Sequence, residues 1–285
     1  MAASDIFWKS NPGRPGSWEA AGLRWLAEAP GGAPVVAVYE HDARGLGIDR
    51  VEFTTPTRAM TEDFGRRLAA THASGAPHFG FSPTGEPGFQ GPNDNLLELP
   101  LKSYETWGEF YADVCLSPLV ARVFGASAVG TSAAENSGPG AGSAIADVPA
   151  EVTRLLEVLR AGELDDGIPP ARIHGDLWAG NVLWGKVESR NRASRNKEGA
   201  ILIDPSAHGG HPRADLAALR LFGAPHLSSI EGAYFEASPH VDGWGTGAQS
   251  VDLHQQHLLW LHAAVFGGGY IGEAVAGAGR VVREL

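Results

Sequence analysis

The chain has 285 residues, 43% of them hydrophobic and 19% charged, which is a globular composition that excludes wholesale disorder. A net charge of −11 argues against a nucleic-acid-binding protein, and the single cysteine, Cys115, excludes a disulfide framework or a cysteine-rich zinc module. The sequence has no apolar run of the roughly 20 residues that a membrane-spanning helix needs, and its start lacks the apolar core of a secretory signal. We therefore expect a cytoplasmic monomer that binds neither membranes nor nucleic acid.

Hydrophobic periodicity and turn-forming residues predict a strand-rich beginning and a mostly helical remainder. In chain order, the predicted elements are a strand at 6–9, a helix at 17–29 capped by Ser17, strands at 35–39 and 48–53, a helix at 61–73, a helix at 104–123 that is bent or broken at Pro118, a helix capped by Asp147, strands at 181–184 and 200–203, and helices at 214–222 and 251–266. This order predicts an α+β protein of two parts with a cleft between them.

Two segments without periodicity interrupt this pattern. Residues 125–146 are rich in Gly, Ala and Ser, and such small side chains bury too little area to offset the entropy of ordering. Residues 186–198 carry five basic and two acidic side chains. We interpret both segments as flexible surface insertions.

The stretch from His174 to Asn181, HGDLWAGN, carries the strongest chemical signal. Asp176 and Asn181 are five positions apart, which is the offset between the catalytic base and a metal-binding asparagine in the phosphoryl-transfer loop of kinases. A loop carboxylate can accept the proton of a substrate hydroxyl, and an asparagine oxygen at the start of the next strand can bind Mg²⁺. We therefore predict Asp176 as the catalytic base and Asn181 as a metal ligand.

A second carboxylate, Asp204, ends the apolar stretch ILID, 23 residues after Asn181. A carboxylate in such surroundings needs a cation or several hydrogen-bond donors, and Mg²⁺ is readily bound by carboxylate and phosphate oxygens. A hairpin of the two predicted strands would bring Asn181 and Asp204 together, with the second insertion as its tip. Each motif alone is weak evidence, because turns after a loop Asp are common. All three elements in this order favour phosphoryl transfer from ATP.

Lys9 and Glu19 are the predicted partners of the ATP phosphates. Lys9 ends a strand, and Glu19 shares a helix face with Leu23 and Leu26. A carboxylate beside an apolar face favours a buried cation, as in the Lys–Glu pair of kinases. An exposed Glu stabilised by the helix dipole is an equally good interpretation of the sequence. A buried salt bridge between the two residues is the prediction that separates these interpretations.

Residues 52–54 then end the small part of the chain. Glu52, Phe53 and Thr54 could form a hinge whose backbone groups face the adenine.

Several neighbouring side chains admit a second interpretation. A transition-metal site could combine His174, His208 and His211 with the two aspartates, as in a metallohydrolase, although no HExxH motif is present. We favour His174 as a residue that braces the catalytic loop. Trp178 could belong to the core or form a wall of the acceptor site.

These residues resemble the fructosamine kinases, also called ketosamine-3-kinases. The resemblance lies in HGDLWAGN, in IDPS and HGGHPRADLA further on, in LFG, Trp244, LH and FGGGY near the end, and in WEAAGLRWL and FGRRLAATH near the start. It covers most of the chain outside the insertions. HGDLWAGN is more specific than the HGD of wider aminoglycoside-phosphotransferase-like kinases.

The resemblance implies a protein-kinase-like bilobal fold and ATP-dependent phosphorylation of a sugar hydroxyl on a ketosamine, a step in deglycation. It implies an N-terminal nucleotide-binding lobe at 1–54 and a catalytic and substrate lobe at 55–285. The implied roles are Asp176 as base, Asn181 and Asp204 as Mg²⁺ ligands, Lys9 and Glu19 at the phosphates, Glu52 to Thr54 at the nucleotide, and His174, Trp178 and Asp215 at the substrate or in bracing the loop.

The sequence departs from the family pattern at two places. Only eight residues precede Lys9, where the family has strands and a turn that covers the phosphates, so we expect a shortened N-terminal lobe. Residues 95–102 read NLLELPLK where the family has a loop with asparagine and glutamine, which leaves the acceptor open. The alternatives are an aminoglycoside, homoserine or choline-like kinase and a catalytically silent nucleotide-binding regulator.

Overall fold

The computed structural model describes residues 6–125, 147–187 and 198–285, so the predicted insertions at 125–146 and 186–198 lie almost entirely outside the described residues. Helices and short antiparallel sheets together confirm the predicted α+β class. In chain order the strands and α-helices are β1 (Ile6–Lys9), α1 (Gly13–Ala27), β2 (Val38–Asp42), β3 (Gly45–Asp49), β4 (Val51–Phe53), α2 (Arg58–Ala73), β5 (Gly88–Gln90), β6 (Leu97–Leu99), α3 (Trp107–Phe110), α4 (Ser117–Phe124), α5 (Ala150–Arg160), β7 (Ala171–Ile173), β8 (Val182–Val187), β9 (Gly199–Leu202), β10 (His208–Gly210), α6 (Pro212–Phe222), α7 (Leu227–Ala237), α8 (Val251–Phe266) and α9 (Gly269–Arg283).

The chain forms two compact units, Met1–Glu105 with Ile168–Gly243, and Thr106–Gly167 with Trp244–Leu285. The boundary predicted after residue 54 lies inside the first of these units. It was meant as the border between two kinase lobes, and as such it stays a prediction. Every predicted site residue belongs to the first unit.

The first sheet places Lys9 beside helix α1. Its strand order is β1–β3–β2, and Lys9, the last residue of β1, pairs with Leu46 of the fully buried strand β3. Helix α1 packs onto this sheet through Ala20 and Leu23, which contact Leu46 and Ile48 in one apolar cluster. Burying these side chains fixes the face of α1 that carries Glu19.

A second sheet, β4–β8–β9, carries Asn181 at one end of its central strand. Strands β8 and β9 form the predicted antiparallel hairpin, with Val182 opposite Leu202. Residues 34–36 add to its edge, because the Leu202 N–H donates to Pro34 O at 2.8 Å and the Val36 N–H to Leu202 O at 3.2 Å. The predicted strand at 35–39 is therefore confirmed only at its last two residues, because β2 begins at Val38, whereas residues 34–36 bond to β9.

Several predicted boundaries needed correction. Helix α1 begins at Gly13, after Pro12, so Ser17 lies inside the helix and does not cap it. The predicted strand at 48–53 is divided between β3 and β4. Asp147 does not cap α5, which follows Pro149. The predicted bend near Pro118 is a π-helical stretch, Tyr111–Leu116, that joins α3 to α4.

The second unit has its own helical core. Helices α8 and α5 both pack against α9, and the side chains of Leu155, Leu159, Trp260, Ala278 and Val281 are almost fully buried. Every helix among the described residues is too short or too polar to span a membrane.

Candidate active site

Lys9, Glu19 and Asp204 form one ion-paired cluster. Lys9 Nζ lies 2.9 Å from Glu19 Oε2 and 2.7 Å from Asp204 Oδ1. The Glu19 side chain is 5% exposed and that of Lys9 is 20% exposed, so the predicted buried salt bridge is confirmed. The interpretation of Glu19 as an exposed first-turn residue was wrong, because this part of α1 faces the first sheet.

The carboxylate of Glu19 is held by two donors on one oxygen. Besides Lys9, Asn11 donates to Glu19 Oε2 at 2.6 Å, while the buried Oε1 has no hydrogen-bond partner among the described residues. Burial raises the pKa of Glu19, and the Lys9 ammonium only partly offsets this effect. Burying the ionised carboxylate of Glu19 is therefore unfavourable, and the charge of Lys9 is needed to offset this cost.

Asp204 follows β9 with a left-handed backbone, at φ +53°. This conformation is uncommon outside glycine, although aspartate tolerates it better than most residues. The turn brings Oδ1 to Lys9, and we find no hydrogen bond to Oδ2 in the part of the chain that the structure describes. The side chain is 39% exposed, so this second oxygen is free to bind a cation.

Asp176 and Asn181 are bonded to each other across the loop that precedes β8. Asn181 Nδ2 donates to Asp176 O at 2.8 Å and to Asp176 Oδ2 at 3.0 Å. With its amide nitrogen directed at Asp176, Asn181 has its amide oxygen on the opposite side of the group. The five-residue offset thus lets the two ends of the loop bond to each other, and one of these hydrogen bonds holds the Asp176 carboxylate.

Burial raises the pKa of Asp176 to about 7. The hydrogen bond from Asn181 works against this shift, and the charges of Asp204 and Asp215 add to it. A carboxylate with a pKa near neutrality is a better proton acceptor than an ordinary aspartate.

The two predicted metal ligands lie at the adjacent ends of two paired strands, Asn181 directly before β8 and Asp204 two residues after β9. The Ile203 N–H donates to Asn181 O at 3.1 Å, and Asp204 is the next residue after Ile203. This backbone hydrogen bond brings the two predicted ligands close together. One amide oxygen and one free carboxylate oxygen fit Mg²⁺, which binds few protein oxygens and takes further ligands from phosphates and water. Among the described residues no three His, Cys, Asp or Glu side chains converge as a self-sufficient metal site.

The histidines do not support a transition-metal site. His174 uses both ring nitrogens within the protein: Nε2 lies 2.8 Å from Ile203 O, and Nδ1 lies 3.3 Å from the Asp176 N–H. His208 Nδ1 lies 2.7 Å from Ser206 O. His211 Nδ1 accepts from the Arg213 N–H and caps α6. Burial lowers the pKa of His174 and His208, which keeps both rings neutral structural groups.

Asp215 braces the catalytic loop from the first turn of α6. Its Oδ2 accepts from the His174 N–H at 2.7 Å, and its Oδ1 accepts from the Gly175 N–H at 2.9 Å. The side chain of Asp215 is 1% exposed. Of the two roles open to Asp215 and His174, the contacts favour bracing.

Trp178 is not part of the core. Its exposed fraction is 42%, and its ring meets that of Phe222 edge to face with centroids 6.2 Å apart. These two half-exposed rings, of which Trp178 lies two residues after Asp176 in the chain, provide an apolar surface.

The predicted hinge residues lie on β4 and directly after it. The Thr54 N–H donates to Trp184 O at 2.9 Å, so this amide is used within the second sheet. Glu52 is exposed and pairs with Lys186 at 3.2 Å, while Phe53 is 72% exposed. These three residues have their contacts with β8 rather than with the Lys9 cluster.

Two groups of residues at this site were not predicted from the sequence. Asn11 lies in a loop, where no periodicity marks it. His72 contacts both Asp215 and Tyr234. Only His72 left a signal in the sequence: it is a polar residue on the buried face of α2 that also carries Gly65 and Leu68.

Gly175 is expected to tolerate no side chain. Its φ is +80°, and a Cβ there would collide with the carbonyl oxygen of Ser206. Gly175→Ala should therefore lower the free energy of unfolding by roughly 2 kcal/mol or more. Denaturant unfolding is the measurement, with Gly232→Ala as control, because Gly232 lies in α7 with nothing within 4 Å of the added Cβ. Equal stabilities of the two variants would contradict the strained turn.

A family model described as fructosamine kinase matches residues 17–284, which is most of the chain. The resemblance inferred from the motifs is thereby confirmed.

Curated relatives carry related names. The chain is 28% identical over 256 residues to a Thermus thermophilus protein named "Probable ketoamine kinase", and the match covers 89% of this chain and 78% of that protein. It is 33% identical over 108 residues to the ketosamine-3-kinase of Mus musculus, covering 38% of this chain and 30% of that protein. It is 26% identical over 227 residues to the chloroplastic protein-ribulosamine 3-kinase of Arabidopsis thaliana, covering 77% and 56%. The chain thus spans about half or less of the mouse and Arabidopsis proteins.

Two solved structures, each described as a "putative fructosamine-3-kinase", share this fold. The Thermobifida fusca protein is 36% identical with a TM-score of 0.74, over 98% of this chain and 85% of its own. The Haemophilus somnus protein is 15% identical with a TM-score of 0.69, over 97% and 83%, and supports the fold alone. The predicted kinase-like α+β fold is confirmed.

Proposed function

Because the chain belongs to the fructosamine kinase family, we propose that it transfers the γ-phosphoryl group of ATP to a sugar hydroxyl of a ketosamine, as in protein deglycation. One observation carries this proposal: Asp176, whose pKa is about 7, lies in the same compact unit as Asn181 and the Lys9–Glu19–Asp204 cluster. A kinase of this kind needs these parts and little covalent chemistry.

In this proposal Asp176 accepts the proton of the attacking hydroxyl and orients it. Its hydrogen bond with Asn181 keeps one oxygen fixed, while the raised pKa makes the proton transfer favourable near neutral pH. Most of the rate enhancement then comes from positioning and from charge stabilisation.

Asn181 and Asp204 would hold Mg²⁺, which when bound neutralises the charge of the β- and γ-phosphates. Lys9 would bind a phosphate oxygen through its ammonium group, and Glu19 would keep that ammonium oriented. Glu52, Phe53 and the side chain of Thr54 would border the adenine of ATP. Residues 1–54 would act as the nucleotide-binding lobe.

The acceptor class follows from the names of the relatives, a ketosamine-3-kinase and a protein-ribulosamine 3-kinase. The half-exposed ring of Trp178, two residues after Asp176, supports it, because an apolar face suits stacking against a sugar or against the carbon chain of a glycated lysine. We propose Trp178 as a wall of the acceptor site.

A substrate panel tests the proposed function. The purified chain is incubated with Mg²⁺ and ATP and with fructosyl-lysine, ribulosyl-lysine, free fructose, an aminoglycoside, homoserine or choline, and phosphorylated products are identified by mass spectrometry. We expect phosphorylation of a sugar attached to an amine, and little of the other compounds. If only an aminoglycoside, homoserine or choline is phosphorylated, the proposal of a ketosamine acceptor is refuted. Binding of Mg-ATP without transfer to any compound would point to a regulatory protein.

The activity is expected to depend on pH through Asp176. The base acts only when ionised, so kcat/KM should rise with pH and reach half of its maximum near pH 7, the value to which burial raises the pKa of Asp176 in the free protein. Asn181→Leu removes the hydrogen bond that favours the ionised form, so its weaker activity should rise at higher pH. A kcat/KM that is constant from about pH 6 to pH 8 would contradict this role.

A further inference from the structure

A chain of buried hydrogen bonds connects the catalytic loop with three helices, α2, α6 and α7. His72 Nε2 lies 3.1 Å from Asp215 Oδ2, and His72 Nδ1 lies 2.8 Å from the hydroxyl of Tyr234. His72, Asp215 and Tyr234 are 4%, 1% and 0% exposed. Asp215 in turn accepts the backbone N–H groups of His174 and Gly175, the two residues immediately before Asp176.

Each member of this chain belongs to a different helix. His72 is in the last turn of α2, Asp215 in the first turn of α6, and Tyr234 in α7. Helices α2 and α7 pack along each other, and Gly65 permits their close approach because a side chain there would collide with the Ile230 carbonyl. Rigid packing therefore fixes the three polar groups relative to one another.

The hydrogen bonds determine which ring nitrogen of His72 carries the proton. Burial alone would raise the pKa of Asp215, but the hydrogen bonds that it accepts from His72 and from the His174 N–H help to lower it overall, so Asp215 is a carboxylate. A carboxylate only accepts hydrogen bonds, and His72 Nε2 must therefore donate. In a neutral ring Nδ1 then accepts, and its donor is the Tyr234 hydroxyl.

The opposite tautomer would place a lone pair of Nε2 against the Asp215 carboxylate. That arrangement loses the hydrogen bond and leaves a buried charge with one fewer donor, which is costly in a dry interior. Asp215 thus selects the Nε2–H tautomer, and Tyr234 supports that choice because its hydroxyl gives Nδ1 a donor.

We propose that His72 and Tyr234 are positioning residues for phosphoryl transfer: Tyr234 holds His72 in the Nε2–H tautomer, and His72 fixes the Asp215 carboxylate that sets the backbone next to Asp176. This inference rests on the proposed function. The link to the base is short, because the Asp176 N–H itself lies 3.3 Å from His174 Nδ1. Neither proposed residue contacts the Lys9 cluster.

The expected kinetic signature is a loss of kcat without a matching change in KM for ATP. A base displaced by a fraction of an ångström loses its alignment with the hydroxyl, whereas phosphate binding depends on other residues. A misplacement of this kind costs about 10- to 100-fold in rate.

Two variants of His72 provide a matched test. The amide nitrogen of Gln can occupy the place of Nε2 and donate to Asp215, whereas the shorter Asn side chain reaches only the place of Nδ1. His72→Gln should retain most of the kcat, and His72→Asn should lose about 10- to 100-fold at similar stability. Equal values of kcat for the two variants, measured well below their unfolding temperatures, would overturn the proposal.

Tyr234→Phe tests the tautomer. In the wild-type background it should lower kcat, because His72 can then take the wrong tautomer. In the His72→Gln background it should have little further effect, since Gln has no tautomer to select. Effects that multiply independently in the double variant would contradict this coupling.

A measurement on the full-length protein separates this proposal from the function on which it rests. In histidine-labelled protein, the ¹⁵N chemical shifts of His72 should be those of the Nε2–H tautomer and should shift toward a mixture in Tyr234→Phe. Amide exchange at His174 and Gly175 should be faster in His72→Asn than in His72→Gln. If the wild-type protein gives these spectra but phosphorylates no ketosamine, only the proposed acceptor is refuted. An Nδ1–H tautomer of His72, or equal amide exchange in the two His72 variants, would refute the positioning role.

Discussion

Replacing Asp176 by asparagine is expected to lower kcat by about 10²- to 10⁴-fold, the usual contribution of a general base. Asparagine keeps the shape of the side chain and can still bond to Asn181, but it cannot accept the proton of the hydroxyl. The affinity for ATP should stay close to that of the wild-type protein, because Asp176 has no contact with Lys9 or Glu19.

The variant should also fold normally. Burial disfavours the ionised form of Asp176, so a neutral amide at this position removes an unfavourable charge rather than a stabilising one. Asp242→Asn is the matched control, since it makes the same chemical change at an exposed position of the same unit. Initial rates and calorimetric titration with Mg-ATP give the two quantities, and a near-wild-type kcat would remove Asp176 from the role of base.

Replacing Lys9 by methionine is expected to affect both stability and activity. Of the donors to Glu19 in the described part of the chain, Asn11 alone would remain, and Asp204 would lose its ion pair with Lys9. Removing one partner of a buried pair is strongly destabilising, and because Lys9 is 20% exposed we expect a loss of roughly 2–3 kcal/mol in the free energy of unfolding. Activity should fall as well, because the proposed phosphate ligand is gone.

A double variant separates the two effects. Lys9→Met with Glu19→Gln removes the unpaired charge, so stability should return toward that of the wild type while activity stays low. Lys186→Met serves as the control for stability, because its ion pair with Glu52 is solvent-exposed and exposed pairs contribute little. Restored activity in the double variant would contradict the role of Lys9 at the phosphates, and an unchanged stability of Lys9→Met would contradict the buried pair.

The parts of the site that the sequence predicted are local or follow a strong pattern. Asp176 and Asn181 lie in one loop, so their spacing alone defines their contact. The hairpin of β8 and β9 follows from two apolar runs, and it brings Asp204 next to the residue that Asn181 contacts. The Lys9–Glu19 pair could be predicted because a carboxylate bordering an apolar helix face needs a cation.

The parts that were missed depend on contacts between distant segments. His72 is 143 residues from Asp215 and 162 from Tyr234, and no local pattern joins them. Helix α9 was also missed, because its glycines disfavour a helix, whereas Gly277 and Ala278 are small enough to be buried on its packed face. Tertiary packing decides such cases against the intrinsic preference of the chain.

A structure of the protein with Mg²⁺ and a non-hydrolysable ATP analogue tests the account most directly. We predict a metal ion within about 2.1 Å of both the Asn181 amide oxygen and a carboxylate oxygen of Asp204, with the Lys9 ammonium on a phosphate and Asp176 left free for an acceptor. A nucleotide and metal bound without contact to Asn181 and Asp204 would contradict the proposed centre.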